Sequence, residues 1–405
     1  MPEAVIVAAH RSPIGRARKG SLKDVRPDDL VAQMIRAALD SVPQLDPTTI
    51  DDLQLGCAIP EGYQGGNLAR TVGVRLGLDA VPGATVTRFC ASSVQTTRAA
   101  FHAIRSGEAR AVISAGVESI SMSSGRLVDE DTRDPLFQQA WERTAQRASR
   151  EIPAPWHDPR EDGELPDAYI AMGQTAENVA ELRGISRQAQ DAFAVRSQNR
   201  AEAAKASGFF ARDITPVALA DGSVVSADDS PRAGVTAEAV GGLDPVFRPD
   251  GTVTAGNCCP LNDGAAALVV MEADYAAELG ITPLARIVAT GVSGLSPEIM
   301  GLGPVEATRR ALKSADMSID DIDLVELNEA FAAQVIPAAE DLGIDHDRLN
   351  VHGGAIALGH PWGSTGARMT TTLLHGLQER EDRFGLATLC VGGGQGMALI
   401  IERMS

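Results

Sequence analysis

Three side chains in this sequence have the types and settings for nucleophilic and proton-transfer chemistry: Cys90, His360 and Cys390. Cys90 follows Thr85-Val86-Thr87-Arg88-Phe89 and opens a helical pattern at Ala91-Ser92-Ser93. A cysteine at a helix N-terminus meets unpaired N–H groups and the positive end of the helix dipole, which favour the nucleophilic thiolate. Free cysteine is also among the most buried residue types, so taken alone this position reads first as a packed structural cysteine. His360 lies within Gly353-Gly354-Ala355-Ile356-Ala357-Leu358-Gly359-His360-Pro361-Trp362-Gly363-Ser364-Thr365-Gly366. The glycines let the chain turn and pass close to other groups, and the proline sets the exit. Such an imidazole is either the base that activates a thiol or a loop histidine satisfied by backbone. Cys390 ends an apolar strand and enters Val391-Gly392-Gly393-Gly394-Gln395-Gly396. Backbone N–H groups of that run can face a cavity, as an oxyanion site requires. No Lys-Ser/Thr follows it, so it is not a P-loop. Asn328-Glu329 stands at the carboxyl end of the strand Leu324-Val325-Glu326-Leu327. That is where α/β folds place functional groups, and where an Asn also caps a helix.

The whole composition narrows the chemistry. With 405 residues and 44% apolar content the chain is globular and exceeds one core's worth of residues. No apolar run is long enough for a membrane span, and Ala4-Val5-Ile6-Val7-Ala8-Ala9 reads as a first strand rather than a signal peptide. The five cysteines (Cys57, Cys90, Cys258, Cys259, Cys390) are odd in number and irregular in spacing. This fits a reducing cytoplasm, and it predicts neither a disulfide framework nor a zinc site. A net charge of −18 argues against nucleic acid as a partner and requires a local basic patch for any polyanionic substrate.

The elements that must position these residues alternate strand and helix. Strands are expected at Val5–Ala9, Asp52–Cys57, Thr85–Phe89 and Ala111–Ala115, with helices at Asp28–Leu39, Asn67–Leu76 and Ser92–Arg105. Such alternation implies a largely parallel sheet with helices on its faces. From about Ser121 to Asp250 the chain is richer in charge and proline, with amphipathic helices at Thr175–Leu182 and Arg187–Lys205, and reads as an inserted domain. The arginines there, mixed with acids, read individually as a solvated face. The third part echoes the first. Laying Arg98 over Arg368 puts Cys90 over His360, and laying Glu108–Gly116 against the last strands puts Ser114 over Cys390. This internal repeat predicts two similar α/β halves about a pseudo-twofold axis. The expected division is 1–121 with 251–280 as the first half, 122–250 as the insert, and 281–405 as the second half.

Taken together, Arg88-Phe89-Cys90-Ala91-Ser92-Ser93, Asn328-Glu329-Ala330-Phe331, Gly353–Pro361 and Cys390-Val391-Gly392-Gly393-Gly394 resemble the thiolase family. So do Thr175-Ala176-Glu177-Asn178, Thr254-Ala255-Gly256-Asn257 and Asn262-Asp263-Gly264-Ala265, in the right order along the whole chain. The resemblance implies two thiolase halves with an inserted loop domain, and coenzyme A chemistry with no permanently bound cofactor or metal. Cys90 would be the acylated nucleophile, and His360 would take its proton. Cys390 would be the relay acid and base. Asn328 would hold a water that completes one oxyanion hole with His360, and the N–H groups of Cys90 and Gly392 would form the other. Cleaving a carbon–carbon bond beside a ketone develops charge first on the keto oxygen and then on the thioester enolate, so two such sites suit it.

The chain also departs from the family pattern. Ala171 stands before Met172-Gly173 where acetoacetyl-specific members carry a histidine, which implies a broader or longer acyl substrate. Thr87 stands near the usual Asn, and Cys258-Cys259-Pro260 replaces small residues with a serine. Ala171, Met172, Cys259, Ala330, Phe331 and Trp362 are the expected pocket residues. A 3-ketoacyl-CoA thiolase with acyl-CoA and coenzyme A as substrates follows. It is expected as a homodimer or homotetramer, with a β-oxidation hydratase/dehydrogenase subunit as a candidate partner. A carrier-protein condensing enzyme is disfavoured by the second cysteine, and a non-catalytic acyl-CoA-binding subunit by the intact Cys90, His360 and Cys390 set.

Overall fold

The computed structural model describes residues 1–125, 128, 130–149 and 155–405. In chain order, the first half comprises β1 (Ala4–Arg11), α1 (Pro27–Asp40), β2 (Asp52–Gly56), α2 (Leu68–Arg75), β3 (Gly83–Val86), α3 (Ser92–Ser106) and β4 (Ala111–Ser119). A long excursion carrying α4 (Met172–Arg183) and α5 (Arg187–Ala206) follows before β5 (Asn262–Glu272). The second half comprises β6 (Ala285–Gly294), α6 (Gly303–Ala315), β7 (Leu324–Leu327), α7 (Ala332–Leu342), α8 (Trp362–Arg380), β8 (Phe384–Val391) and β9 (Gln395–Arg403).

The strands form one ten-stranded sheet in the order β3-β2-β4-β5-β1-β6-β9-β8-β7, with the short Gly15–Arg16 strand added on β5. The expectation of a largely parallel sheet is corrected. Only β3–β2, β2–β4 and β7–β8 are parallel; the other neighbours along that order are antiparallel. The reason is local: β8 and β9 are joined by a three-glycine hairpin, and β5 returns from the excursion to lie between β1 and β4. The halves meet where Val5 and Ile6 pair with Arg286 and Ala285. Outward from that seam the order β1, β5, β4, β2 is matched by β6, β9, β8, β7, and β3 by a parallel bridge from Val325 to Leu349.

Alternation of side chains along each strand sorts the core into layers. Val5, Val7, Val269 and Met271 pack under α1 and α2. Ile6, Leu268 and Val270 face the opposite way, toward α3 and α8, and meet Ala387, Leu389 and Leu399 of the second half there. Leu386, Ala398 and Ile400 pack under α6 and α7. The pair α3 and α8 is thus the middle layer, and it is polar for its depth. Thr370 and Thr371 on α8 donate to the carbonyls of Gly366 and Ala367, both at 2.9 Å, so their hydroxyls are satisfied without water.

The repeat holds at Cys90 and His360, each two residues before its helix begins. It shifts at Cys390. Asp51 accepts from the N–H groups of Arg110 and Ala111, and Asp323 accepts from those of Arg383 and Phe384. Ala111 therefore matches Phe384, and Cys390 lies over Val117, not over Ser114. Ser114 instead points at α3, hydrogen-bonded to Thr96 and Thr97 at 2.9 Å each.

The stretch expected to be a glycine-rich turn is largely helical, with Ala355–Leu358 forming one turn and α8 starting at Trp362. Its glycines serve close approach. A Cβ on Gly366 would lie 2.4 Å from Val94 Cγ2 and 2.6 Å from Val94 N on α3. We expect Gly366→Ala to lose about 1–3 kcal/mol in urea unfolding through overpacking. Gly241→Ala meets no atom within 4 Å and should be neutral or slightly stabilising in the same assay. Equal effects of the two substitutions would overturn this account of the α3–α8 contact.

Candidate active site

The turn before α3 is held open by a strained residue. Phe89 sits at φ 44°, a left-handed conformation that is rare and costly for an aromatic side chain. Ser92 closes the turn, accepting from the Arg88 N–H at 2.9 Å and donating to the Phe89 carbonyl at 2.6 Å. Cys90 is thereby turned inward, where its own N–H and that of Gly392 point at its sulfur. Burial pushes the Cys90 thiol up to about 12, and the nearby Glu118 adds to this, against the two N–H groups. The expected thiolate stabilisation at the helix start is therefore outweighed by desolvation. Cys90 rests as a thiol and needs a base at the moment it attacks.

His360 is the candidate for that base. His360 is 2% exposed. Burial, with a contribution from the buried cation of Arg368, depresses its pKa to about 3, so the imidazole is neutral at ordinary pH. Asn328 Nδ2 lies 3.3 Å from Nε2, and Thr365 Oγ1 lies 2.7 Å from Nδ1. With the amide donating, Nε2 is the proton acceptor and Nδ1–H is donated to Thr365. The Oδ1 of Asn328 is buried and has no hydrogen-bond partner among the described residues. A buried acceptor in that state is a seat for a water or a substrate donor.

The His360 turn is pinned on both sides by carboxylates. Glu118 accepts from the N–H of Gly363 at 2.9 Å, just past the histidine, and from Ala58 N–H, Ile59 N–H and Gln64 Nε2 in the first half. Glu329 accepts from the N–H of Ile356 at 3.2 Å, just before it, and from Ser197 Oγ on α5 and Asn350 Nδ2. His360 itself donates its N–H to Asn262 Oδ1 at 3.0 Å. None of Glu118, Thr365 and Arg368 was picked out as functional from the sequence. Glu118 carries the one usable signal, a single carboxylate inside an apolar strand.

Cys390 ends β8, fully buried, and its thiol is pushed above the ordinary range by burial and by the neighbouring Cys90. Gly393 and Gly394 then take φ of 75° and 78°, which only glycine adopts freely, and turn the chain into β9. The hairpin is tied across the halves. Arg88, two residues before Cys90, donates to Gln395 Oε1 at 2.8 Å and to Gln95 Oε1 at 3.0 Å, while Gln395 Nε2 donates to the Gly392 carbonyl.

A cavity of about 480 Å³ opens beside this centre, lined by Phe89, Ala171, Met172, Leu261, Trp362 and Gly393 among others. Ala171, Met172 and Trp362 are thus on its wall. Cys259, Ala330 and Phe331 pack in the apolar cluster around Cys390. They are stitched there by the Cys259 N–H donating to the Ala330 carbonyl at 3.0 Å and by the Cys258–Phe331 bridge. All five cysteines are free. Among the described residues, no group of three or more His, Cys, Asp or Glu is placed to hold a metal, and no helix is long and apolar enough to cross a membrane.

The arrangement combines a partly exposed thiol at Cys90, a buried neutral imidazole whose Nε2 is the acceptor, a second thiol at Cys390 that is fully buried, and backbone donors aimed at the first sulfur. It can form and break a thioester and move one proton through Cys390. The depressed His360 pKa has a direct readout. Unfolding frees a histidine of ordinary pKa 6.5 from a folded value of about 3, so the unfolded chain binds more protons and this residue lowers stability as pH falls from 6.5 toward 3. In the folded protein the imidazole proton resonances of His360, assigned by loss in His360→Asn, should not move between about pH 5 and 8. A midpoint near the ordinary histidine value would overturn the neutral-base assignment.

Comparison with known proteins agrees with this geometry. The family model for the thiolase N-terminal domain matches residues 4–274, and that for the C-terminal domain matches residues 281–403. The chain is 43% identical to a 3-ketoacyl-CoA thiolase of Bacillus subtilis, covering 99% of this chain and 100% of that protein. It is 41% identical to an acetyl-CoA acetyltransferase of Escherichia coli, covering 100% of both. It is 43% identical to a beta-ketoadipyl-CoA thiolase of Pseudomonas aeruginosa, covering 99% of each. Among solved structures, the Bacillus anthracis acetyl-CoA acetyltransferase superposes with a TM-score of 0.87 at 40% identity, over 100% of this chain and 99% of that one. Human mitochondrial 3-ketoacyl-CoA thiolase in complex with CoA superposes with a TM-score of 0.85 at 36% identity, over 99% and 98%. Matched by the family models in both halves and by relatives along nearly its whole length, this chain belongs to the thiolase family of acyltransferases.

Proposed function

We propose that this protein is a degradative 3-ketoacyl-CoA thiolase, cleaving 3-ketoacyl-CoA with coenzyme A into acetyl-CoA and a shortened acyl-CoA. The observation that carries the reading is the convergence of Cys90, Gly392 and Cys390 beside one cavity, with His360 held neutral by its surroundings. Cys90 Sγ attacks the 3-keto carbon while His360 Nε2 takes the thiol proton. The keto oxygen becomes an oxyanion facing the N–H groups of Cys90 and Gly392. As the carbon–carbon bond breaks, its electron pair passes to the acetyl-CoA enolate. The enolate oxygen is stabilised by protonated His360 and by a water on Asn328, and Cys390 gives its proton to the enolate carbon. A raised pKa suits Cys390 to this step, because it keeps the residue protonated until the enolate forms. The Cys390 thiolate then takes the proton of the incoming coenzyme A thiol. Attack on the Cys90 thioester releases the shortened acyl-CoA, and His360 returns its proton to Cys90.

Ala171 supports a substrate longer than acetoacetyl, since a small side chain there leaves the cavity wall open. A relative named acetyl-CoA acetyltransferase supports the second reading, in which the same groups run the condensation of two acetyl-CoA molecules, and another is named for beta-ketoadipyl-CoA. Coenzyme A as substrate is supported by the CoA complex of the human structure. Two further assignments accompany the reading. Residues 122–250 form an inserted domain that contributes to acyl-CoA binding. A homodimer or homotetramer is supported by β3, whose outer edge has no strand partner among the described residues and flanks a hollow of about 820 Å³ beside α3.

Cys90→Ala should abolish the covalent acyl intermediate seen by intact-protein mass spectrometry and reduce kcat to near background. Cys390→Ala should still be acylated by an acyl-CoA donor yet lose about 10²–10⁴ in thiolysis, the range for removing a general acid. A Cys90→Ala protein that still forms the adduct, or full turnover by Cys390→Ala, sinks the assigned roles. The series from acetoacetyl-CoA to longer 3-ketoacyl-CoA substrates should show kcat/KM rising beyond four carbons. A maximum at acetoacetyl-CoA favours the biosynthetic reading instead.

A further inference from the structure

The cavity beside Cys90 is apolar along most of its wall, where Phe89, Ile170, Met172, Leu261 and Trp362 face it. Arg133 is the one cation on that wall among the described residues. Its guanidinium carbon lies 5.8 Å from the Trp141 ring centroid and 5.9 Å from that of Tyr169, so two aromatic faces flank it. Its Nε is buried and has no hydrogen-bond partner among the described residues. The carboxylate of Glu130, which lines the same cavity, is 3.8 Å away, and that side chain is 76% exposed. A loose pair of this kind contributes little and is readily exchanged for a better-matched anion. Asp167 is also within electrostatic reach; it accepts from the Tyr169 N–H, and no hydrogen bond joins it to Arg133 among the described residues.

A planar guanidinium with a buried Nε–H left without a partner and one terminal nitrogen only loosely paired, set in a mostly apolar wall and flanked by rings, can match a carboxylate bidentately. The chain's net charge of −18 makes a lone cation in such a wall conspicuous. A purely hydrocarbon acyl chain gains nothing from it and leaves its donors desolvated. We propose that Arg133 is a specificity-determining residue that selects 3-oxoacyl-CoA substrates whose acyl chain ends in a carboxylate. The apolar wall takes the methylene groups and the guanidinium takes the distal carboxylate. This rests on the thiolytic reading above and narrows it to a substrate class.

The test compares two six-carbon substrates that differ only at the far end, 3-oxoadipyl-CoA and 3-oxohexanoyl-CoA, in the thiolysis direction. The wild-type protein should prefer the carboxylate-ended one by about tenfold or more in kcat/KM. Arg133→Met should remove that preference while keeping 3-oxohexanoyl-CoA within about twofold. Glu130→Gln, which frees the guanidinium of its loose partner, should lower KM for 3-oxoadipyl-CoA alone, and this arm stands even if Arg133→Met fails to fold. Equal or reversed preference in the wild type overturns the inference. So does an equal loss on both substrates with a raised KM for coenzyme A, which would place Arg133 against the nucleotide end. If acetoacetyl-CoA is cleaved and neither six-carbon substrate is, the inference falls and the thiolytic reading stands. No cleavage of any 3-oxoacyl-CoA by protein with intact Cys90 defeats the thiolytic reading itself.

Discussion

The site depends on how closely α8 can approach α3 and β4. Helices with ordinary side chains at a contact keep their axes about 8–10 Å apart. Here Gly363 and Gly366 remove the side chains at the contact, so that a Cβ on Gly363 would lie 2.7 Å from Ala58 N, and one on Gly116 would lie 2.5 Å from the Gly363 carbonyl. That approach brings the turn holding His360 against the first half, which supplies Cys90. It also brings the Gly363 N–H within 2.9 Å of Glu118, a residue of the other half. Packing without side chains and a buried hydrogen bond thus secure the same turn. Burial pushes the Glu118 carboxyl up to about 7, which shows how far it has been withdrawn from water to do this.

That withdrawal explains the electrostatics of the centre. Cys90, Cys390 and His360 are all held in their neutral forms by burial as the leading cause. These neutral forms leave no resting ion pair between a Cys90 thiolate and a His360 imidazolium. In an apolar enclosure the two backbone N–H groups near Cys90 are worth more to a developing oxyanion than they would be in water, and they need no reorganisation to act. The same burial that makes the free thiol unreactive therefore favours the charged transition state once substrate fills the cavity.

How much of this could be read from the sequence differs by element. The equivalence of Cys90 and His360 in the repeat was legible because helix starts are punctuated: each residue stands two positions before a helix. The register of Cys390 was not, because it is set by hydrogen bonds from two aspartate side chains, Asp51 and Asp323, to backbone at the start of the neighbouring strand. Neither has a signature in hydrophobic period. The antiparallel strands were missed for a related reason. Strand–helix alternation describes what lies between strands in the sequence, whereas β5 and β9 reach their places by an excursion and a tight hairpin. Glu118 was invisible because its meaning lies in donors from distant segments, the Cys57 thiol, Gln64 and the N–H groups of Ala58, Ile59 and Gly363.

Trp362 shows why substrate choice and catalysis are hard to separate in this architecture. Its N–H donates to the His360 carbonyl at 2.9 Å, closing the turn that aims the imidazole. Its ring packs against the small cluster of Ala58, Ile59 and Ile120 and forms part of the cavity wall. A smaller residue there would widen the cavity and at the same time loosen the support of the backbone between His360 and the Gly363–Glu118 bond. Ala171 and Met172, by contrast, face the same cavity from the start of α4, and neither belongs to the His360 turn. The cavity can therefore be reshaped from the α4 side with the catalytic turn unchanged, whereas its Trp362 side is constrained by the chemistry. Residues on the α4 side and its neighbouring loop, rather than those beside the histidine, are where differences in acyl preference can accumulate without cost to turnover.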